Sequence, residues 1–378
     1  MSFTIVQPSR IVFGRGVAIE AVPAALAFGN RGVVVHGSDP TRSEWFVTSA
    51  RVTGASLLRI ASTGEPTVED LERAIVLARP HEPDWIIAIG GGAALDLGKA
   101  LAAMVPSTGA VKDHLELVGR ALPLQAPPMP FIAVPTTSGT GAEVTKNAVI
   151  GVPEMGRKVS LRDDRMIARV AFIDPALTDF CPKPTTLASG LDALTQVIEP
   201  YISCKATPYT DAISLPVIRP GLSALMRLMS AEDKSARDDL ALTSLTGGLA
   251  LANSGLGAVH GFAGVIGGLT GAAHGAICGT LLGPVLQMNR NRCSGDARAR
   301  IDKVCSLLSE ELGCSAEDAP RALQRWAKAQ GLPGLSALGL RAEDHGAVAE
   351  ASQSASSMKG NPVALSVADL GQILQAAA

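Results

Sequence analysis

Two pairs of side chains stand at spacings that could do chemistry. Asp192 and Gln196, in "GLDALTQVIEP", are four positions apart, and on a helix such residues lie one above the other on the same face. They could hold one object between them. His260 and His274 flank a glycine-rich break, Gly267 to Gly271, in "GAVHGFAGVIGGLTGAAHG", which could fold one imidazole back toward the other. An Asp with two His is a donor set for a divalent metal, because imidazole nitrogen and carboxylate oxygen suit Zn²⁺ or Fe²⁺. The ordinary alternative for each His is a hydrogen-bonded core residue.

Glycine points to a second chemistry. In "DWIIAIGGGAALDLGKALAAM", Gly90, Gly91 and Gly92 stand between an apolar strand and an amphipathic helix. Glycines let the backbone approach a phosphate, and the open N–H groups and positive dipole of a helix start attract it. The stretch is neither GxGxxG nor the P-loop, so a tight turn without a ligand is the alternative. Asp96 and Lys99 follow on the first turns of that helix, where they belong to the same unit or form a local ion pair. "PTTSGTGAEVT" sets Thr136, Thr137 and Ser138 after another strand, the edge at which open α/β sheets bind nucleotides.

These residues need a scaffold, and the hydrophobic pattern supplies one. "RGVVVHG" (31 to 37), "DWIIAIGGG" (84 to 92), "PFIAVP" (130 to 135) and "ARVAFIDP" (168 to 175) read as strands, and "TVEDLERAIVLARP" (67 to 80) has helical periodicity. Strands alternating with helices predict a mainly parallel sheet. After residue 178 the texture changes to long Ala- and Leu-rich helices at 185 to 202, 207 to 229 and 234 to 253. "PKPTTLASG" predicts a helix start with Pro184 near it and Thr185 or Thr186 as cap. The expected division is an α/β domain over 1–178 and an all-α domain over 179–378.

Composition excludes several roles. A chain of 378 residues, 47% hydrophobic but only 3% aromatic, builds its cores from Ala, Val, Leu and Ile. A net charge of −2 without a basic tract provides no electrostatic footprint for nucleic acid. The start, "MSFTIVQPSRIVFGRG", lacks the charged and apolar regions of an export signal, and the longest apolar candidate, Leu245 to Gly283, is full of glycine and contains two His. A cytoplasmic protein without a membrane partner is expected. Six scattered cysteines without a CxxC pair read as reduced, mostly buried thiols.

The segments together resemble the iron-containing (group III) alcohol dehydrogenases, almost end to end: "IVFGRG", "GGGAALDLGKA", "PTTSGTGAEVT", "VAFIDPALT", "GLDALTQVIEPYIS", "AVHG" with "AHG" after it, and "KGNPVALSVADLGQIL". The resemblance implies an amino-terminal dinucleotide-binding α/β domain, an all-helical carboxyl-terminal domain in a dehydroquinate synthase-like architecture, and an active site in the cleft between them. By motif, Gly90, Gly91 and Gly92 would cradle the NAD(P) pyrophosphate, with Asp96 and Lys99 in the same unit. Thr136, Thr137 and Ser138 would line the adenosine side, and Lys158 in "GRKVSL" would reach the nicotinamide ribose. The family's metal ligands, one Asp and three His, map to Asp192, Gln196, His260 and His274, so only three of the four match. A further His that many members carry one turn after the first is here Gly264.

The implied activity is NAD(P)-dependent interconversion of a small alcohol with its aldehyde or ketone, a divalent Fe²⁺ or Zn²⁺ polarising the substrate oxygen, with His260 and His274 as catalytic residues and a homodimer as the assembly. Gly37, Ser38 and Asp39 follow the second strand; Gly37 and Ser38 with nearby Arg42 would admit a 2′-phosphate, and Asp39 would oppose it if it points inward. Rivals are a maleylacetate reductase with a weak or absent metal, for which Arg157, Lys158 and Arg162 are candidate cations, a lyase of the dehydroquinate synthase type, and a degenerate nucleotide-binding protein.

Overall fold

Short β-branched runs bounded by glycine and proline become parallel strands. The computed structural model describes residues 2–378 and divides them into two units, one of Val6–Thr137 with Gly141–Asp179, the other of residues 2–5, Ser138–Thr140 and Phe180–Ala378. In the first, β1 (Arg10–Phe13), β2 (Arg31–His36), β3 (Ser56–Ala61), β4 (Trp85–Gly90), β5 (Phe131–Pro135) and β8 (Val170–Ile173) form one parallel sheet in the order β1-β8-β5-β4-β2-β3. The helices are α1 (Ala21–Leu26), α2 (Glu44–Val52), α3 (Val68–Ala78), α4 (Gly92–Met104) and α5 (Val111–His114). Helix α3 starts on a capping box in which Thr67 and Asp70 satisfy each other's backbone N–H groups.

Both faces of this sheet are covered. Val33 and Val35 pack in one cluster with Ile86 and Ala88, while Val34 packs in another with Trp85 and Ile87. Alternate residues therefore serve opposite faces, and the strands read as unbroken apolar runs. The connection from β2 leads through α2 to β3 on one side, and that from β4 leads through α4 to β5 on the other. The carboxyl ends of β2 and β4 thus flank the point where strand order reverses, where open α/β sheets bind ligands.

Two features differ from the sequence expectation. β1 and β3 are short or only partly apolar, and the pattern does not announce them. The run that carries Arg157, Lys158 and Arg162 is a strand, β7 (Arg157–Arg162), paired antiparallel with β6 (Asn147–Val152) in a separate hairpin.

The second unit is helical: α6 (Lys183–Ile202), α7 (Pro208–Ser230), α8 (Lys234–Ser254), α9 (Ala258–Thr270), α10 (His274–Arg292), α11 (Gly295–Leu312), α12 (Ala319–Ala329), α13 (His345–Gln353) and α14 (Val367–Ala377). Neither Thr185 nor Thr186 caps α6. The helix begins two residues earlier than Thr185, with Pro182 at its cap position, and the Thr186 hydroxyl donates to the Cys181 carbonyl. The break before His274 is also narrower than Gly267 to Gly271: α9 continues to Thr270, and Gly271 ends it at φ +70°, the left-handed conformation glycine tolerates best.

Helix α7 is long and apolar enough by composition to cross a membrane. It buries Ile218, Leu222 and Leu225 in the helical core and carries Arg219 paired with Glu310 and Glu311, the pattern of a core helix with one wet face.

Candidate metal centre and nucleotide turns

Three helices converge on Asp192. Asp192 projects from α6, His260 from the first turn of α9, and His274 opens α10. The Asp192 Oδ1 atom lies 3.4 Å from His260 Nε2 and 3.8 Å from His274 Nε2. The imidazole centroids are 5.3 Å apart. The turn at Gly271 therefore does bring the two imidazoles together on one carboxylate.

A fourth donor was not anticipated. Cys278 lies one turn after His274 on α10, fully buried, with Sγ 3.6 Å from His274 Nε2 and 3.8 Å from His260 Nε2. The ligand atoms of Asp192, His260, His274 and Cys278 all lie within 4.8 Å of one another. The signal was present in the sequence as the same i, i+4 spacing that drew attention to Asp192 and Gln196.

Glu199 is a further residue of the site that the motifs do not mark. It sits seven residues after Asp192 on α6, hence on the same face, with Oε2 2.7 Å from His260 Nδ1 and Oε1 accepting the Val259 N–H at 2.7 Å. A carboxylate on one ring nitrogen orients the imidazole and leaves the other nitrogen for a metal.

Gln196 points its amide donor away from this set. Nε2 donates to the Gly139 carbonyl at 3.2 Å, and Oε1 is buried without a hydrogen bond among the described residues. Asp192 Oδ1 likewise makes no hydrogen bond, although it lies in ionic range of both imidazoles. Buried oxygens left so are uncommon. Asp192 Oδ1, beside two imidazoles and a thiol, suits a cation.

The electrostatics agree. Burial disfavours the imidazolium of His274, but Cys278 and Asp192 outweigh it and push its pKa up to about 9. His260 follows the same pattern, raised well above the ordinary range against its burial by Cys278, Asp192 and Glu199. Burial works against the Asp192 carboxylate, and the two His hold it below its usual value. The cluster stabilises positive charge at its centre.

In the other unit, the sheet brings the nucleotide candidates together at the reversal of strand order. A Cβ on Gly90 would stand 2.6 Å from Ala94 Cβ and 3.3 Å from Gly37 N, and one on Gly91 would meet Thr137 Oγ1 at 3.2 Å. The Thr136 N–H donates to the Gly90 carbonyl at 2.9 Å. Gly91 is the cap residue of α4, which has no side-chain cap and no acidic residue in its first turn. Its first N–H groups are open to an anion. No Cβ obstruction exists at Gly37. Ser38 is exposed beside it, and Asp39 is committed as a cap, its Oδ1 accepting from Thr41 N at 3.0 Å and Thr41 Oγ1 at 2.6 Å. Ser138 groups with the helical unit, one residue before Gly139.

Asp96 and Lys99 do not make a simple ion pair on the α4 surface. Lys99 is fully buried and donates to the Ala142 carbonyl, the Thr145 hydroxyl and the Asn147 carbonyl at 2.6, 2.8 and 2.8 Å. These three acceptors make it a brace for the turn before β6. Burial pulls its pKa down to about 8, with Asp96 and Glu143 opposing the shift. Lys158 faces Glu65 at 2.6 Å and Arg162 faces Glu116 at 3.1 Å. Two of the three cations considered for an acidic substrate, Lys158 and Arg162, are thus already matched by carboxylates.

Nucleotide-type turns and a metal-type donor cluster in one chain are the equipment of a metal-dependent dehydrogenase. Residues 8–175 match the family profile described as iron-containing alcohol dehydrogenase, and residues 186–378 match that of the Fe-containing alcohol dehydrogenase family, C-terminal. The chain is 34% identical to the lactaldehyde reductase of Escherichia coli over 316 residues, 82% of this chain and 81% of that protein. It is 38% identical to Long-chain-alcohol dehydrogenase 1 of Geobacillus thermodenitrificans over 231 residues, 61% of this chain and 58% of that protein. The solved alcohol dehydrogenase from Oenococcus oeni superposes with a TM-score of 0.90 at 28% identity, covering 100% of both chains. The chain belongs to the iron-containing alcohol dehydrogenase family, and it is an NAD(P)-dependent oxidoreductase that interconverts an alcohol with an aldehyde or ketone.

Proposed function

We propose that the helical unit holds a divalent metal on Asp192, His260 and His274, and that the other unit binds NAD(P) at the turns of Gly37–Asp39, Gly90–Gly92 and Thr136–Thr137, continued by Ser138. The observation that carries the metal half is the convergence of two imidazoles on the Asp192 Oδ1 atom, which makes no hydrogen bond among the described residues. When bound, the metal supplies Lewis acidity to the substrate oxygen and the nicotinamide takes or returns the hydride.

The chain's own residues do the rest. Glu199 fixes the ring of His260 through Nδ1, so that Nε2 faces Asp192. Open N–H groups at the start of α4 receive the pyrophosphate, and the small residues Gly90 and Gly91 let it approach. Gly264 lies one turn after His260, where many family members carry a His, so a proton leaves through water, a cofactor ribose hydroxyl or His274. Lys158, already facing Glu65, is the candidate contact for the nicotinamide ribose.

Gly37 and Ser38 leave room for a 2′-phosphate, and the engagement of Asp39 with Thr41 lessens its opposition to one. The reading therefore covers both NAD and NADP. Alcohols and aldehydes are the substrates, the compound classes named for the long-chain-alcohol dehydrogenase and the lactaldehyde reductase, and the working form is a cytoplasmic homodimer without a nucleic-acid or membrane partner.

The test pairs elemental analysis of the purified protein with NAD(P)H absorbance across an alcohol and aldehyde panel, before and after chelation. Turnover lost on chelation and restored by Fe²⁺ or Zn²⁺ is expected. Turnover indifferent to chelation would remove the metal from the mechanism, and tight nucleotide binding without turnover would leave a degenerate binding protein.

A further inference from the structure

We propose that Cys278 is the fourth protein ligand of the metal centre, in the role the sequence comparison would give to Gln196, and that the resulting Asp192–His260–His274–Cys278 site takes Zn²⁺ in preference to Fe²⁺. This rests on the reading of the helical unit as the metal-holding one.

The first argument is geometric. Zinc binds nitrogen and oxygen at about 2.0–2.2 Å and sulfur at about 2.3 Å in a tetrahedron, which sets its ligand–ligand edges at roughly 3.3–3.8 Å. Four of the six donor–donor separations are 3.4 Å for His260–Asp192, 3.8 Å for His274–Asp192, 3.8 Å for Cys278–His260 and 3.6 Å for Cys278–His274, and all six lie within 4.8 Å. Hydrogen bonds among nitrogen and oxygen groups close to about 2.7–3.2 Å. Here the nitrogens and the carboxylate oxygen stand apart by the edge of a coordination polyhedron. The sulfur is nearly equidistant from two Nε2 atoms, and a single S–H proton could serve only one of them. One ion would serve all four donors.

The second argument is chemical. Gln196 is a neutral amide whose Nε2 is fixed on the Gly139 carbonyl, so it adds no anionic donor. Cys278 does: its sulfur takes the metal as the thiol proton is released to solvent. Thiolate is a soft ligand that suits Zn²⁺, and Zn²⁺ also exceeds Fe²⁺ in general affinity for such donors. Replacement of an imidazole by an amide on α6 is thereby offset by a sulfur on α10. None of the other five cysteines belongs to a metal-type cluster among the described residues.

The experiment uses the full-length protein, stripped and reloaded with Co²⁺ as a spectroscopic stand-in for Zn²⁺. The wild type is expected to show a sulfur-to-cobalt charge-transfer band in the near ultraviolet, retained in Gln196→Ala and lost in Cys278→Ser. Loss of a residue that only orients a ligand already costs roughly 10–100-fold in metal affinity, so Cys278→Ser should weaken Zn²⁺ binding by at least about 10-fold in competition with a chelator, and narrow the preference for Zn²⁺ over Fe²⁺. X-ray absorption at the zinc edge of the wild type needs no variant and should show one sulfur at about 2.3 Å. Stoichiometric Co²⁺ without the band, a band that persists in Cys278→Ser, or only nitrogen and oxygen around zinc overturns the proposal while the metal-dependent reading stands. Failure of the wild type to retain any metal overturns both, and so separates the two failures.

Discussion

Glu199 Oε2 lies 2.7 Å from His260 Nδ1, and the other oxygen of the same carboxylate accepts the Val259 N–H at 2.7 Å. One side chain therefore sets both the ring and the backbone from which the ring projects. Glu199→Gln keeps the shape but removes the charge that holds the imidazole in one tautomer. Its expected effect is a loss of roughly 10–100-fold in metal affinity, read by chelator competition. A variant that holds metal as tightly as the wild type would show that Glu199 only braces the start of α9.

Gly90 and Gly91 test the nucleotide turn. A side chain at Gly90 would drive into Ala94, and its first carbon would already stand 2.6 Å from Ala94 Cβ. Overpacking of this kind costs about 1–3 kcal/mol. If that distortion falls on the cofactor turn, Gly90→Val weakens NAD(P)H binding by roughly 5- to 100-fold, as measured by cofactor fluorescence, while metal content stays at the wild-type level. Loss of metal with unchanged nucleotide binding would contradict the assignment of the two tasks to separate units.

Lys99 separates a brace from a cofactor ligand. Lys99→Met would leave the acceptors on Ala142, Thr145 and Asn147 unpaired in a buried place, at a cost on the order of 2–4 kcal/mol. The variant should melt several degrees lower in a thermal scan, and its folded fraction should bind NAD(P)H much as before. An unchanged melting temperature with weakened nucleotide binding would return Lys99 to the cofactor site.

Glu143 gives a pH dependence of stability. Burial raises its pKa to about 7, against its own backbone hydrogen bond and Lys99, which pull the other way. From about pH 4.5 to 7 the folded protein keeps a proton that the unfolded chain has lost, so stability declines as pH rises through that window. The loss is on the order of 3 kcal/mol. Glu143→Gln mimics the protonated side chain; it should melt with the wild type near the acid end and several degrees above it at pH 8, in parallel scans. A melting difference that does not change with pH would refute the linkage.

The two units were legible to different depths. β2, β4 and β5 are apolar runs ending in glycine or proline, so periodicity located them and the turns that follow. β7 was hidden because its alternation carries Arg157, Lys158 and Arg162, whose charge reads as solvent-facing loop until Glu65 and Glu116 are seen opposite two of them. The cap of α6 failed for a related reason: Thr186 was free in the sequence, but the fold offers it the Cys181 carbonyl and Arg237.

What the sequence by itself determined was the kind of chemistry. Residue types and the order of the motifs specify a nucleotide turn, an Asp, two His and an odd Gln, and helical spacing says which neighbours share a face. Tertiary structure decided the membership of the site. The folding of α9 against α10 at Gly271 carries the Cys278 sulfur to both imidazoles, and seven residues along α6 Glu199 meets His260 from the far side. Spacing along one helix is local and can be read from the chain. Distances of a few ångströms between donors on three helices depend on how the helices pack, and no local pattern encodes them.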